Sequence, residues 1–333
     1  MKGRVQIDTV GSVVLKGNPL GDPSVRQVPV YLPPSYGSAR GRRYPIIYFL
    51  AGFTGGGRSF LNYHPWRENL PERFDRLIAA GKARECVLVM PDGFTAFGGS
   101  QYLNSSATGR YEDHVVCELV GFFEDKLSIS QRPEGRAVMG KSSGGFGALT
   151  LAMRHPDVFG HAVSHSGDML FDVCYGGDIP KAVSALGKYK GSAERFLKEF
   201  RTSRNKDSFD HALVNIMAMS ACYSPNPKSR WGFDLPCDVQ TGEILPKVWA
   251  RWKAVDPVAA ALRYRIHLKK LKTLWFDCGT RDEFHLHLGA RKFSRVLKGL
   301  GVRHTYEEHG FGHFDTAERL DTSLSLISKR LTA

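Results

Sequence analysis

Gly135-Arg136-Ala137-Val138-Met139-Gly140-Lys141-Ser142-Ser143-Gly144-Gly145-Phe146-Gly147 is the stretch on which the reading of this chain turns. Two patterns overlap in it. Gly140-Lys141-Ser142-Ser143-Gly144 fits G-x-S-x-G, a sharp strand-to-helix turn that presents a serine nucleophile. Gly135 through Ser142 also fits GxxxxGK[ST], a loop that cradles phosphates. One serine cannot be both a magnesium ligand and an acyl nucleophile, so the flanking residues decide. A phosphate loop needs a buried strand ahead of its first glycine. The residues there, Ser130-Gln131-Arg132-Pro133-Glu134, are polar and interrupted by proline. The apolar strand Ala137–Met139 instead falls inside the supposed loop and stops just before Gly140, and Phe146–Arg154 (FGALTLAMR) supplies the helix after the turn. The elbow fits on both sides. Its glycines let strand and helix approach closely around a strained residue.

Outward from the elbow, Tyr44–Leu50 (YPIIYFL) and Cys86–Met90 (CVLVM) are continuous apolar runs that end in turn residues. Such runs suit strands covered on both faces, as in a parallel sheet. Further strands are expected at Gln27–Leu32, His161–His165, Thr273–Asp277 and Arg303–Glu308. Pro65–Ala80, Glu112–Leu127 and Phe284–Leu297 carry apolar residues at helical spacing or follow helix-start signals. Strands alternating with helices predict a single α/β domain with helices on both faces of a mostly parallel sheet. Residues 168–257 break this rhythm and predict a helical, cap-like insertion.

A serine needs a base, an orienting acid and donors for an oxyanion. The chain order on this type of fold is Ser, then Asp or Glu, then His. Asp282 follows the Thr273–Asp277 strand in a loop beyond its C-terminal end, with Glu283 as rival and Asp277 as a strand residue. Among twelve histidines, His313 stands after the last strand, just past the flexible glycines Gly310 and Gly312; His309, His155, His161 and His165 are the others weighed. The backbone N–H groups of Ser143 and Phe53 are the expected oxyanion donors. Trp66, Phe94, Lys141 and Phe171 are candidates for contact with substrate.

Composition sets the frame. Of 333 residues, 42% are apolar and 24% charged, which excludes disordered and collagen-like classes. The apolar runs are too short to span a membrane. The start of the chain lacks the apolar stretch of a signal peptide. Six cysteines form no Cys-x-x-Cys pair, which favours reduced thiols and a cytoplasmic setting. The net charge is +13. Residues 181–206 hold eight basic and two acidic residues, and 251–272 hold seven and one, so two stretches carry nearly all the excess. Solvated helix faces are the ordinary reading. A positive rim that draws anionic esters, or a surface for an anionic polymer, is the sharper one.

Beyond these readings, the sequence resembles the esterase D-like branch of the α/β-hydrolases. That group includes S-formylglutathione hydrolases, feruloyl esterases, enterobactin-type esterases and mycolyltransferases. The resemblance rests on Val28–Tyr36 (VPVYLPPSY), Tyr48–Gly52 (YFLAG), Tyr111–Val120 (YEDHVVCELV), Gly140–Gly167 (GKSSGGFGALTLAMRHPDVFGHAVSHSG), Cys278–Asp282 and Gly310–His313. It implies the α/β-hydrolase fold and gives Ser142, Asp282 and His313 the triad roles. Two positions depart from the pattern: Ala51-Gly52 replaces a frequent His-Gly, and Lys141 precedes the nucleophile where relatives often have His.

The expected function is hydrolysis of short acyl or aryl esters through an acyl-enzyme on Ser142, without metal or organic cofactor. An acyltransferase or a thioesterase would use the same triad. An anionic-polymer binding protein on a silent hydrolase scaffold is the reading from another class. A small-molecule ester is the expected partner, with no nucleic acid and no membrane; a homodimer is allowed.

Overall fold

Apolar runs with a period of two place alternate side chains on opposite faces of a strand. Here both sets are apolar, so both faces must be covered. The computed structural model describes residues 1–38, 41–206 and 210–333. Eight strands form one sheet: β1 (Arg4–Gly11), β2 (Val25–Leu32), β3 (Ile46–Leu50), β4 (Val87–Val89), β5 (Arg136–Lys141), β6 (His161–His165), β7 (Thr273–Gly279) and β8 (Thr305–His309). Their spatial order is β1-β2-β4-β3-β5-β6-β7-β8. β1 and β2 are antiparallel to each other, β2 is antiparallel to β4, and the remaining pairs are parallel. The α/β-hydrolase expectation is met.

Strand β3 shows the two-sided core directly. Ile46, Tyr48 and Leu50 join Val89, Val138, Leu274 and Phe276 under one helical layer. Ile47 and Phe49 join Leu88, Met139, Val163 and Trp275 under the other. Fully burying each such side chain contributes roughly 1.5–3 kcal/mol, so the sheet interior anchors the fold.

The structure moves several predicted boundaries. The first long helix starts at Leu70, not Pro65, because Asn69 and Glu72 form a reciprocal capping box and Pro71 sits in the first turn. The helix expected over Glu112–Leu127 is one run from Tyr111 to Lys126 that widens to π turns over His114–Leu119. The elbow helix opens at Ser143 rather than Phe146. The helix expected at Phe284–Leu297 runs Leu286–Gly299. β1 was not foreseen: only Asp8 and Val10 are buried, Ile7 is exposed, and polar residues separate its apolar ones, so it lacks an apolar run. A two-strand ribbon, Asn104–Ser105 with Gly109–Arg110, was not foreseen either.

Between β6 and β7 lie the helices of the insertion, at Phe171–Cys174, Asp178–Leu186, Ala193–Thr202, His211–Tyr223 and Pro246–Val255. Their apolar faces build a separate cluster around Phe171, Tyr175, Phe196, Met219, Tyr223, Phe233 and Trp252. That cluster also takes in Phe97, Leu103 and the elbow-helix residue Phe146. Pro257–Arg263 then returns to the main core through Ala261. The cysteines are all free thiols, and no helix among the described residues is long and apolar enough to cross a membrane.

Candidate active site

The strand that ends at Lys141 turns directly into the helix that begins at Ser143, and Ser142 is the corner between them. Its backbone has φ 57° and ψ −127°. That region is sparsely populated for a residue with a side chain and costs on the order of 1–3 kcal/mol. Tight neighbours hold the corner in place. A Cβ at Gly140 would lie 2.4 Å from the Gly144 carbonyl oxygen, and one at Gly144 would lie 2.1 Å from that of Leu50. The Ser142 N–H donates to the His165 carbonyl at 2.9 Å, tying the corner to β6. A phosphate loop is thereby excluded: β5 occupies the residues that such a loop would need to leave free.

Asp282 and His313 come from two other loops at the same end of the sheet. His313 Nδ1 and Asp282 Oδ2 are 2.7 Å apart, and both residues are buried. The second carboxylate oxygen of Asp282 accepts from the backbone N–H groups of Phe284, at 3.0 Å, and Leu286, at 3.4 Å. Burial works against ionisation of Asp282. The hydrogen bond and charge of His313, with the two backbone donors, outweigh it and hold the carboxyl below its ordinary range. Glu283, the rival acid, faces the other way: its Oε2 accepts the backbone N–H of His313 at 2.5 Å. Two adjacent carboxylates thus hold ring and backbone of one histidine.

The side chains of the other acid and histidines weighed sit away from Ser142. Asp277 pairs with His165 Nδ1 at 2.8 Å and with Arg319 at 2.8 Å, and Ser323 holds the far side of the His165 ring at 2.8 Å. This is a buried brace between β6, β7 and the C-terminal helix. His309 Nε2 stands 3.7 Å from Asp277. His155 bonds Glu112 and His161 bonds Thr273.

Ser142, His313, Phe53 and Ser143 share the wall of one cavity of about 250 Å³. Thr54, Asp168, Phe284 and Phe314 complete the sheet-end wall, and Cys174, Tyr175, His211 and Asn215 come from the insertion. The backbone N–H groups of Phe53 and Ser143 take part in no hydrogen bond among the described residues. The loop carrying Phe53 closes tightly on the elbow. A Cβ at Gly52 would sit 3.2 Å from the Lys141 carbonyl oxygen and 3.3 Å from Ser142 Cβ.

The four substrate-contact candidates lie off this wall. Trp66 is 93% exposed on a surface turn. Phe94 lines a different groove with Asp92 and Gly56–Ser59. Phe171 is fully buried in the insertion's cluster, stacked on Tyr223 at 5.0 Å. Lys141 sits behind the wall, its ammonium 5.8 Å from the ring of Phe314, and burial lowers its pKa against the pull of Asp282, Asp315 and Glu283. Sequence reading missed Asp168, His211 and Asn215, and counted Tyr175 with the insertion's aromatics that pack its own core or face substrate. They lie in or beside the insertion, where no local motif marks a residue as facing the serine.

Neither basic stretch contributes a lysine or arginine to the cavity among the described residues. Lys181, in the adjoining groove, is paired with Asp178 at 3.1 Å.

The chain is similar to several known proteins. Over 145 residues, 42% of this chain, it is 36% identical to "Esterase Rv1288" of Mycobacterium tuberculosis, and that match spans 28% of the relative's length. Over 158 residues it is 25% identical to "Uncharacterized protein YbbA" of Bacillus subtilis, covering 44% of this chain and 58% of that one. Among solved structures, a ferulic acid esterase superposes with a TM-score of 0.61 at 20% identity, covering 99% of both chains. An S-formylglutathione hydrolase from Agrobacterium tumefaciens superposes at 0.59 with 15% identity, covering 99% of this chain and 96% of that one. These structural likenesses establish the shared fold. The family model described as "Putative esterase" matches residues 23–315, nearly the whole chain, and this protein therefore belongs to that esterase family.

Proposed function

We propose that the protein is a serine carboxylesterase acting on short acyl or aryl esters. The observation that carries the reading is the strained corner at Ser142 opening onto the same cavity as a buried His313–Asp282 pair. A serine held at positive φ with a paired imidazole in reach of one bound molecule is an arrangement for nucleophilic attack.

In the proposed reaction, Ser142 Oγ attacks the ester carbonyl while the free ring nitrogen of His313, Nε2, takes the hydroxyl proton. Asp282 fixes the proton of His313 on Nδ1 and stabilises the imidazolium. The N–H groups of Phe53 and Ser143 receive the oxyanion. The imidazolium returns its proton to the departing alcohol, which leaves an acyl-serine. Water, deprotonated by His313, then releases the acid and restores Ser142.

The test is Ser142→Ala, assayed on 4-nitrophenyl acetate and butyrate beside feruloyl esters and S-formylglutathione. Turnover is expected to fall about 10⁴-fold or more, with loss of fluorophosphonate labelling. Near-normal hydrolysis in that variant overturns the proposal. The S-formylglutathione arm separates thioester from oxygen-ester preference, and added alcohol acceptors separate transfer from hydrolysis.

A further inference from the structure

The carboxylate of Asp168 lies beside the elbow and has no cation paired with it among the described residues. Asp168 is 6% exposed and lines the cavity. Its surroundings form a directed chain of donors. Gln101 Nε2 donates to Ser143 Oγ at 2.9 Å, so the Ser143 hydroxyl proton points onward, to Asp168 Oδ2 at 3.2 Å. From the other side the Tyr175 hydroxyl donates to the same Oδ2 at 2.9 Å, and stands 3.1 Å from the Tyr223 hydroxyl, which is left to donate to it. Both donors end on Oδ2. The other oxygen, Oδ1, makes no hydrogen bond among the described residues, and it is not among the polar atoms sealed off from the surface. A carboxylate oxygen has room for two donors, so an acceptor is left over within the wall of the cavity.

Burial pushes the Asp168 carboxyl up, while Tyr175, His313 and Ser143 oppose that shift. In the empty cavity water can satisfy Oδ1. A substrate that fills the space with hydrocarbon removes that water and leaves a buried acceptor unpaired. A substrate carrying a hydroxyl there does not. A cationic substrate group meets the acceptor too, but it faces the imidazolium that forms on His313 during attack.

We propose that Asp168 reads the substrate: Oδ1 accepts a hydrogen bond from a hydroxyl of the ester, so the enzyme prefers hydroxylated esters to plain alkyl ones. The hydroxyl comes either from a hydroxyacyl group or from the free hydroxyls of a partial ester of a polyol. This rests on the serine esterase reading, since it concerns the cavity that holds Ser142.

The experiment compares kcat/KM within pairs that differ by hydroxyl groups. For the acyl side the pair is 4-nitrophenyl 3-hydroxybutyrate and butyrate; for the alcohol side it is glycerol 1-butyrate and propyl butyrate. Each ester is also scored for protection of Ser142 against a fluorophosphonate, so binding without turnover still reads. In the wild type, one pair is expected to favour the hydroxylated member by about ten- to hundredfold. Asp168→Asn, which keeps the volume but not the charge, should reduce that preference by about tenfold, and Asp168→Ala should abolish it. Ratios within a variant cancel general damage to the elbow. No preference in either pair, or a preference unchanged in Asp168→Asn, overturns the proposal, as does a stronger preference for 4-nitrophenyl 3-aminobutyrate. Wild type labelled at Ser142 with flat ratios rejects only the role of Asp168. Wild type that fails to label rejects the serine reading beneath it.

Discussion

Two adjacent carboxylates hold His313, and the structure gives them unequal work. In Asp282→Asn, the new side-chain carbonyl keeps the place of Oδ1, because the N–H groups of Phe284 and Leu286 already donate there. The NH₂ group then faces Nδ1, now as a donor. The imidazole must place its own proton on Nε2, where it cannot accept from Ser142. The charge that stabilises the imidazolium is also lost. Two unit charges about 4 Å apart interact by about 4 kcal/mol at an effective dielectric of 20, which alone corresponds to roughly 10³ in rate. Charge and tautomer together predict a fall in kcat of about 10³–10⁴. Glu283→Gln differs: the amide carbonyl still accepts the backbone N–H of His313. Only the charge-assisted part is lost, about 1 kcal/mol, or roughly five- to tenfold. The assay is hydrolysis of saturating 4-nitrophenyl acetate at pH 8, with thermal melting to show that each variant is folded. If Glu283→Gln loses as much as Asp282→Asn, or Asp282→Asn stays within tenfold of wild type, the division of labour is wrong.

Other outcomes follow from single contacts. Gly144→Ala puts a Cβ 2.1 Å from the Leu50 carbonyl oxygen, an overpacking cost of about 3 kcal/mol; melting should show a drop on the order of 4 °C. Gly121→Ala, in a helix with nothing within 4 Å of the added carbon, should instead gain about 0.5–1 kcal/mol. Asp168 has a raised pKa when folded, so the folded state holds its proton over a window above the ordinary carboxylate value. Stability from this group is therefore lost as pH rises through that window. Asp168→Asn removes the slope, so its melting temperature relative to wild type should rise from pH 4 to pH 8; a constant difference would contradict the buried charge. Because the cavity wall carries no lysine or arginine among the described residues, kcat/KM for an anionic ester should change less than about twofold between low and moderate salt. A steep fall would show that the basic stretches steer substrate at long range.

The elbow was legible because its requirements are local: glycines at 140 and 144, an apolar strand before them and a helix after them all lie within one stretch. Strands β3, β4, β5 and β7 were legible for a similar reason, since two-sided burial leaves continuous apolar runs. β1 was not, because an edge strand with one face in water needs few apolar residues. The sequence expected Asp282 as the acid with Glu283 as rival, but what each carboxylate holds was beyond it. Neighbouring residues in a loop point in different directions, and only the return of the Gly310–His313 loop shows which oxygen meets Nδ1 and which meets the backbone.

Large aromatics on loops suggested substrate contact, and their fates differ by packing alone: Trp66 points to solvent and Phe171 is sealed in a core. Residue type gives no sign of that difference. The sequence by itself determined the buried strands of the sheet, the elbow and the set of residues that could form a triad, because strand burial and a strained turn impose rules on near neighbours. The tertiary structure alone decided what surrounds Ser142, including the carboxylate of Asp168 and the insertion's Tyr175, His211 and Asn215. A cavity wall is assembled from segments far apart in the chain, and no local pattern records which of their side chains will meet.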